Sequence, residues 1–238
     1  PPQREFGVAT VNVAGENISG LVITGTRGAK ASGTISFGVS ARPEGAANLR
    51  VMSPATDDNN PMPGFGAAAV DPDTGTFSLE NLVGGHTFRV ANLPRGWELK
   101  RVTYNGQDIT DRGMEFRPGQ DVNGIDIELT DKTTAVDGAV TNSKRESVKD
   151  YTVVVFPEDQ DKWVLPQNRW TASARPTQDG HFHFQNLPPG NYYAVAVEYV
   201  ASGDWQDPAW LTRAVPSATR FTLDEGGRSN LTLTLAGS

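Results

Sequence analysis

Few residues in this chain have the type and spacing that chemistry needs. His181 and His183 stand two apart in an alternating run, which sets both on one strand face, a geometry open to a metal ion. The remaining histidine, His86, belongs to a distant stretch of chain. Asp71-Pro-Asp73-Thr-Gly75 and Asp57-Asp58-Asn59-Asn60 are oxygen-rich in the manner of calcium loops, yet neither has the Asp-x-Asp-x-Asp-Gly spacing or a closing Glu. His181, His183, Asp71 and Asp73 are therefore weak metal candidates, set against a plainer reading as a solvent-facing pair and as turn formers. The chain has no cysteine, which removes thiol nucleophiles, Cys-ligated zinc, iron–sulfur clusters and disulfides. Glu158, Asp159, Asp161 and Asp207 could supply paired carboxylates for glycosidase-type work, but no spacing selects a pair. There is no Gly-x-Ser-x-Gly elbow either. The expectation is a protein that is not an enzyme and that uses no cofactor.

Aromatic residues offer a different kind of site. Trp163, Trp170, Trp205 and Trp210 fall in one half of the chain, where exposed rings would stack on carbohydrate or fill a pocket on a protein partner, and buried rings would pack a sheet. Both readings stay open. Acidic residues outnumber basic ones 28 to 21, a formal net charge of -7, so nucleic acid is not an expected partner. Apolar runs such as Val153–Phe156 are far shorter than the roughly 20 residues a membrane-spanning helix needs, so no membrane span is expected. The first residues, Pro-Pro-Gln-Arg-Glu-Phe, show no basic head followed by an apolar stretch, so no signal peptide is legible.

The elements that would position these residues are strands. With 25 Gly and 16 Pro, the sequence is interrupted too often for a helical bundle. Period-two alternation recurs at Val8–Val13, Thr76–Leu79, His181–Phe184, Tyr192–Tyr199 and Leu231–Leu235. One short helical turn fits after Asp207-Pro208. Self-comparison then fixes the organisation. Gly75–Ala91 aligns with Gly180–Ala196 at an offset of 105, with Gly75/Gly180, Phe77/Phe182, Asn81/Asn186, Leu82/Leu187, Gly85/Gly190, Val90/Val195 and Ala91/Ala196 identical. Ile125, Ile127 and Leu129 match Leu231, Leu233 and Leu235, and Gly33 matches Gly138. A third, partial copy precedes them, because Gly15–Ile23 aligns with Gly119–Ile127 at an offset of 104. The reading is all-β: two tandem Ig-like sandwiches over residues 25–130 and 131–238, preceded over 1–24 by an arm or the last strand of an upstream module. Two accounts of that arm remain. Either the chain is part of a longer tandem array, or residues 4–14, with Phe6, Val8, Val11 and Val13, add as a strand to the sheet edge of another copy.

The stretch Thr177-Gln-Asp-Gly-His-Phe-His-Phe-Gln-Asn-Leu-Pro-Pro-Gly-Asn-Tyr-Tyr-Ala-Val-Ala-Val197 resembles the carboxypeptidase regulatory-like domain, with its Asp-x-Gly-x-Phe strand, Leu-x-Pro-Gly turn and Tyr-x-Val-x-Val strand. Val136-Asp-Gly-Ala-Val140 and Tyr151–Phe156 fit the same pattern, and Val83-Gly-Gly85 fits it more loosely. The resemblance implies a transthyretin-like sandwich in tandem arrays of bacterial, acidobacterial-type, extracytoplasmic proteins. It implies no catalytic unit. In the motif, Gly180 is expected to close a turn, Phe182 and Phe184 to face the core, Gly190 to take a positive φ, and Tyr192 or Tyr193 to be buried at the corner. The functional expectation is a structural or adhesive protein, extracellular or on the cell surface (or periplasmic), self-associating as a filament or array subunit. The alternative is a carbohydrate- or protein-binding module, or an accessory domain of a larger secreted protein.

Overall fold

The computed structural model describes residues 5–7, 11–15, 18–38, 40–57, 66–166 and 168–237, with the Phe6 side chain left out. Strands dominate, and the α-helix among the described residues is the short Pro208–Ala214. The chain divides into two compact units, one running to Arg95 and resuming over Leu99–Leu129, the other comprising Gly96–Glu98 and Thr130–Ser238.

In the first unit, strands β1 (Ala29–Ser36), β2 (Arg50–Ser53), β3 (Thr76–Leu82) and β4 (Asp121–Thr130) carry the pattern read from the sequence. β1 lies antiparallel to β3 on one side and parallel to β4 on the other. The strand Glu98–Tyr104, which belongs to this unit from Leu99 on, and Gln107–Asp108 extend this sheet beyond β4. A second sheet sets β2 between Gly66–Ala69 and Arg89–Ala91. Alternation along the strands buries Ala29, Ala31, Phe77, Leu79, Ile125 and Ile127 while their neighbours face water.

The second unit repeats the plan with β5 (Ala135–Thr141), β6 (Thr152–Pro157), β7 (His181–Gln185), β8 (Gly190–Val197) and β9 (Arg228–Thr234). β5 is antiparallel to β7 and parallel to β9, as β1 is to β3 and β4. The second sheet runs Ala172–Ala174, β6, β8, Thr219–Leu223. Between the sheets lie Val136, Val140, Val153, Val155, Phe182, Phe184, Tyr192 and Leu233. In both units the strand just before the closing strand, Met114–Phe116 or Thr219–Leu223, pairs antiparallel with Gly84–His86 or β8 respectively. The units differ ahead of it: the first adds Glu98–Tyr104 and Gln107–Asp108 to the sheet of β1, where the second has the helix Pro208–Ala214.

The repeated residues now have physical reasons. Gly33 faces Ile125 and Gly138 faces Leu231 across the parallel pairs, and a Cβ at either would strike the opposing carbonyl oxygen. Gly75 and Gly180 sit at φ 73° and 81°, closing equivalent turns ahead of β3 and β7. Asn81 and Asn186 occupy the left-handed region at φ 63° and 61°, which Asn tolerates better than most side chains. Gly190 corrects the sequence reading: the structure gives it no positive φ, and its lack of a Cβ lets the Trp170 ring approach, a Cβ there falling 3.1 Å from Cζ3. The turn needs its left-handed residue earlier, at Asn186. The corner aromatic is Tyr192, fully buried, whose hydroxyl donates to the Pro188 carbonyl at 2.6 Å.

Candidate functional site

Strand β7 presents Phe182 and Phe184 to the core and His181 and His183 to solvent. β7 pairs with β5 so that His183 lies opposite Asp137, and its Nδ1 is 2.6 Å from Asp137 Oδ1. The histidine is thus engaged by a neighbouring carboxylate across the strands. Asp71 is likewise engaged, its Oδ1 accepting from Thr74 N at 2.8 Å and Asp73 N at 2.9 Å. These bonds, that from Thr74 foremost, hold its carboxyl below the ordinary carboxylate range. They form the turn leading to Gly75. Among the described residues no three His, Asp or Glu side chains converge as a metal site. Of the second acidic run, Asp58, Asn59 and Asn60 lie outside the described residues.

Of the two readings left open for the tryptophans, packing accounts for Trp163 and Trp170, which are buried, while Trp205 and Trp210 are partly buried. Trp170 is 8% exposed, stacks on Tyr192 with centroids 6.1 Å apart, and is covered by the Lys162 ammonium 3.5 Å from its ring centre. Trp163, 5% exposed, donates Nε1–H to the Pro157 carbonyl at 2.8 Å and meets Phe156 edge-on. Trp205 and Trp210 are partly buried against Val154, Phe156, Tyr193, Val195 and Leu211. Helix α1 (Pro208–Ala214) is held in place there by Asp207, whose side chain accepts from Ala209 N, and by proline in its first turn. Two open clefts flank this region. One of about 540 Å³ is lined by Trp163, Val164, Leu165, Asn168, Gln206 and Pro208, and another of about 340 Å³ has Tyr199, Arg175 and Trp205 in its wall.

Sequence reasoning missed two buried titratable residues, which period-two patterning cannot flag. His86 is 2% exposed, with Nδ1 2.9 Å from the Ser53 carbonyl and Nε2 3.1 Å from that of Val83, and so ties backbone segments together. Glu98 is buried, and burial pushes its carboxyl up to about 7 against an opposing pull from Arg169.

The N-terminal residues give the clearest surface feature. Glu5–Phe6 pairs antiparallel with Thr26–Arg27 of the same chain, so part of the expected arm is paired in cis. Val8 lies outside the described residues. Val11 and Val13 are 39% and 73% exposed. Ile18, Leu21, Val22 and Ile23, beyond the expected arm, are 49–80% exposed and belong to no strand. Their signal was already in the sequence, because the partial repeat aligns Ile18, Leu21 and Ile23 with Val122, Ile125 and Ile127.

No family model matches the chain, and no curated protein does. The resemblance to the carboxypeptidase regulatory-like domain and an acidobacterial origin therefore gain no support from those comparisons. Among solved structures the chain is similar to the Bacillus anthracis TIE protein (11% identity, 88% of this chain and 34% of that one, TM-score 0.30). It is also similar to a streptococcal ancillary pilin (18%, 92% and 66%, TM-score 0.34) and to the minor pilin of Streptococcus agalactiae (11%, 86% and 94%, TM-score 0.33). The chain spans about a third of the first of these proteins and just under two thirds of the second.

Proposed function

We propose that this chain is a non-enzymatic structural protein of the cell surface or extracellular space, a filament or array subunit joined to its neighbours by strand addition through residues 4–14. One observation carries the reading. Within the expected arm Val11 and Val13 are exposed, 39% and 73%, and elsewhere beyond residue 23 the exposed large apolar side chains among the described residues are Val164 and Tyr199. A concentrated exposed apolar stretch marks an interaction site, and an extended stretch meets a partner most economically at an open sheet edge, where backbone groups await pairing. The acidic surface, net charge -7, fits a protein that stays dispersed until such contacts form. The test compares the intact chain with one lacking residues 1–14, by light scattering and electron microscopy. Particles larger than one chain that shrink on deletion are expected, and an unchanged monomer in both overturns the reading.

A further inference from the structure

Gly15 and residues 18–23 repeat the glycine and apolar placement of a closing strand, and residues 18–23 belong to no strand. In the first unit the closing strand β4 lies parallel to β1, and in the second β9 lies parallel to β5, with Gly33 opposite Ile125 and Gly138 opposite Leu231. Just ahead of β4, Gly119 adopts φ 71°, and within it Gly124 adopts φ 88° at the point where the pairing register shifts. Gly15 and Gly20, the residues 104 positions earlier, adopt φ 88° and 75°. The inward residues of β4, Val122, Ile125 and Ile127, are at most 1% exposed, whereas their counterparts Ile18, Leu21 and Ile23 are 49%, 54% and 56% exposed. Three side chains at core-facing register positions, beside glycines already in the matching conformation, are thus about half exposed where their counterparts are buried.

We infer that residues 18–24 form a donor strand whose partner is a sandwich of this same fold lacking its own closing strand. The segment lies parallel to the first strand of that sandwich, with Ile18, Leu21 and Ile23 in its core and the Leu21 carbonyl against a glycine equivalent to Gly33 and Gly138. Both sandwiches in this chain are already closed, by β4 and β9, so an intact second copy offers no such edge. The inference goes beyond the proposed function, which concerns residues 4–14 and copies with complete sandwiches.

Two variants test it. In the first, Asp121–Ile127 of the full chain is replaced by a duplicate of Asn17–Ile23. The unit is expected to keep a cooperative calorimetric transition with Tm lowered by no more than about 10 °C, as for volume-conserving core swaps. The same graft bearing the Leu21→Asp change in the duplicate is expected to lose that transition. Loss of the transition in the unsubstituted graft, or its survival in the Leu21→Asp graft, overturns the inference. In the second, the chain is ended after Gly227, which opens the edge of β5. Head-to-tail multimers that grow with concentration and revert to monomer on Leu21→Asp or Ile23→Asp are expected by light scattering. A shortened chain that stays monomeric, or multimers indifferent to these substitutions, overturns the inference. Neither readout depends on residues 1–14, so this inference and the proposed function fail separately.

Discussion

Glu98 shows how burial alone changes what a residue does. Its carboxyl is ordinary in type and sits where no motif surrounds it, yet desolvation raises its pKa from 4.5 to about 7. The fold therefore holds a proton there that the unfolded chain releases near pH 4.5. This contribution to stability is complete below pH 4.5, declines as pH rises through 7, and is a fixed penalty above that. Glu98→Gln is accordingly expected to raise Tm over the parent at pH 8 and to match it near pH 4, as thermal unfolding at the two pH values would show; equal shifts at both would disprove it. Other residues changed meaning once their neighbours were known. His181 and His183 were legible as a same-face pair, but the carboxylate that engages His183 comes from Asp137, 46 positions away. Gly190 was read from its turn motif, whereas its small size is required by Trp170, which no local pattern connects to it.

Strand β6 explains an apolar run without alternation in the second unit. All six residues of Thr152–Pro157 are buried, where a two-layer sandwich needs only every second one. Val153 and Val155 face the core between the sheets, while Val154 and Phe156 face outward onto a second apolar cluster with Trp163, Tyr193, Val195 and Leu211. Helix α1 covers that outer face, and Leu211 at 0% exposure is its anchor. Leu211→Ala leaves a cavity and is expected to cost about 2–5 kcal/mol. The loss should appear as faster amide exchange across Pro208–Ala214, with strands β5 and β9 slow to exchange as before; unaltered exchange in the helix would refute the anchoring role. The sequence made the short helix legible through Asp207-Pro208 and the run Val153–Phe156 legible as apolar. That the helix folds onto the run was not legible, because it joins elements some fifty residues apart and leaves no local periodicity.

At the scale of the whole chain, the repeat makes a strong demand: equivalent residues must answer to equivalent forces. Gly33 and Gly138 meet it, each leaving room for a carbonyl oxygen of the parallel closing strand. Gly33→Ala and Gly138→Ala are each expected to destabilise by about 1–3 kcal/mol through overpacking. Denaturant titration of the two variants checks this, and a neutral effect at either site would break the equivalence. Strand character, the module period near 105, and the absence of thiol chemistry are properties of composition and local alternation, so the sequence determined them unaided. Tertiary structure decided which sheet each strand joins, as in Glu98–Tyr104, which extends the sheet of β1 where the second unit has helix α1 instead. It also decided that Trp163 and Trp170 pack inward and that Ile18, Leu21 and Ile23 are left half exposed. Alternation states that one face of a strand is apolar, a local property of the side chains. What that face meets depends on partners distant in sequence, and only the folded chain, through burial and pairing across those distances, selects them.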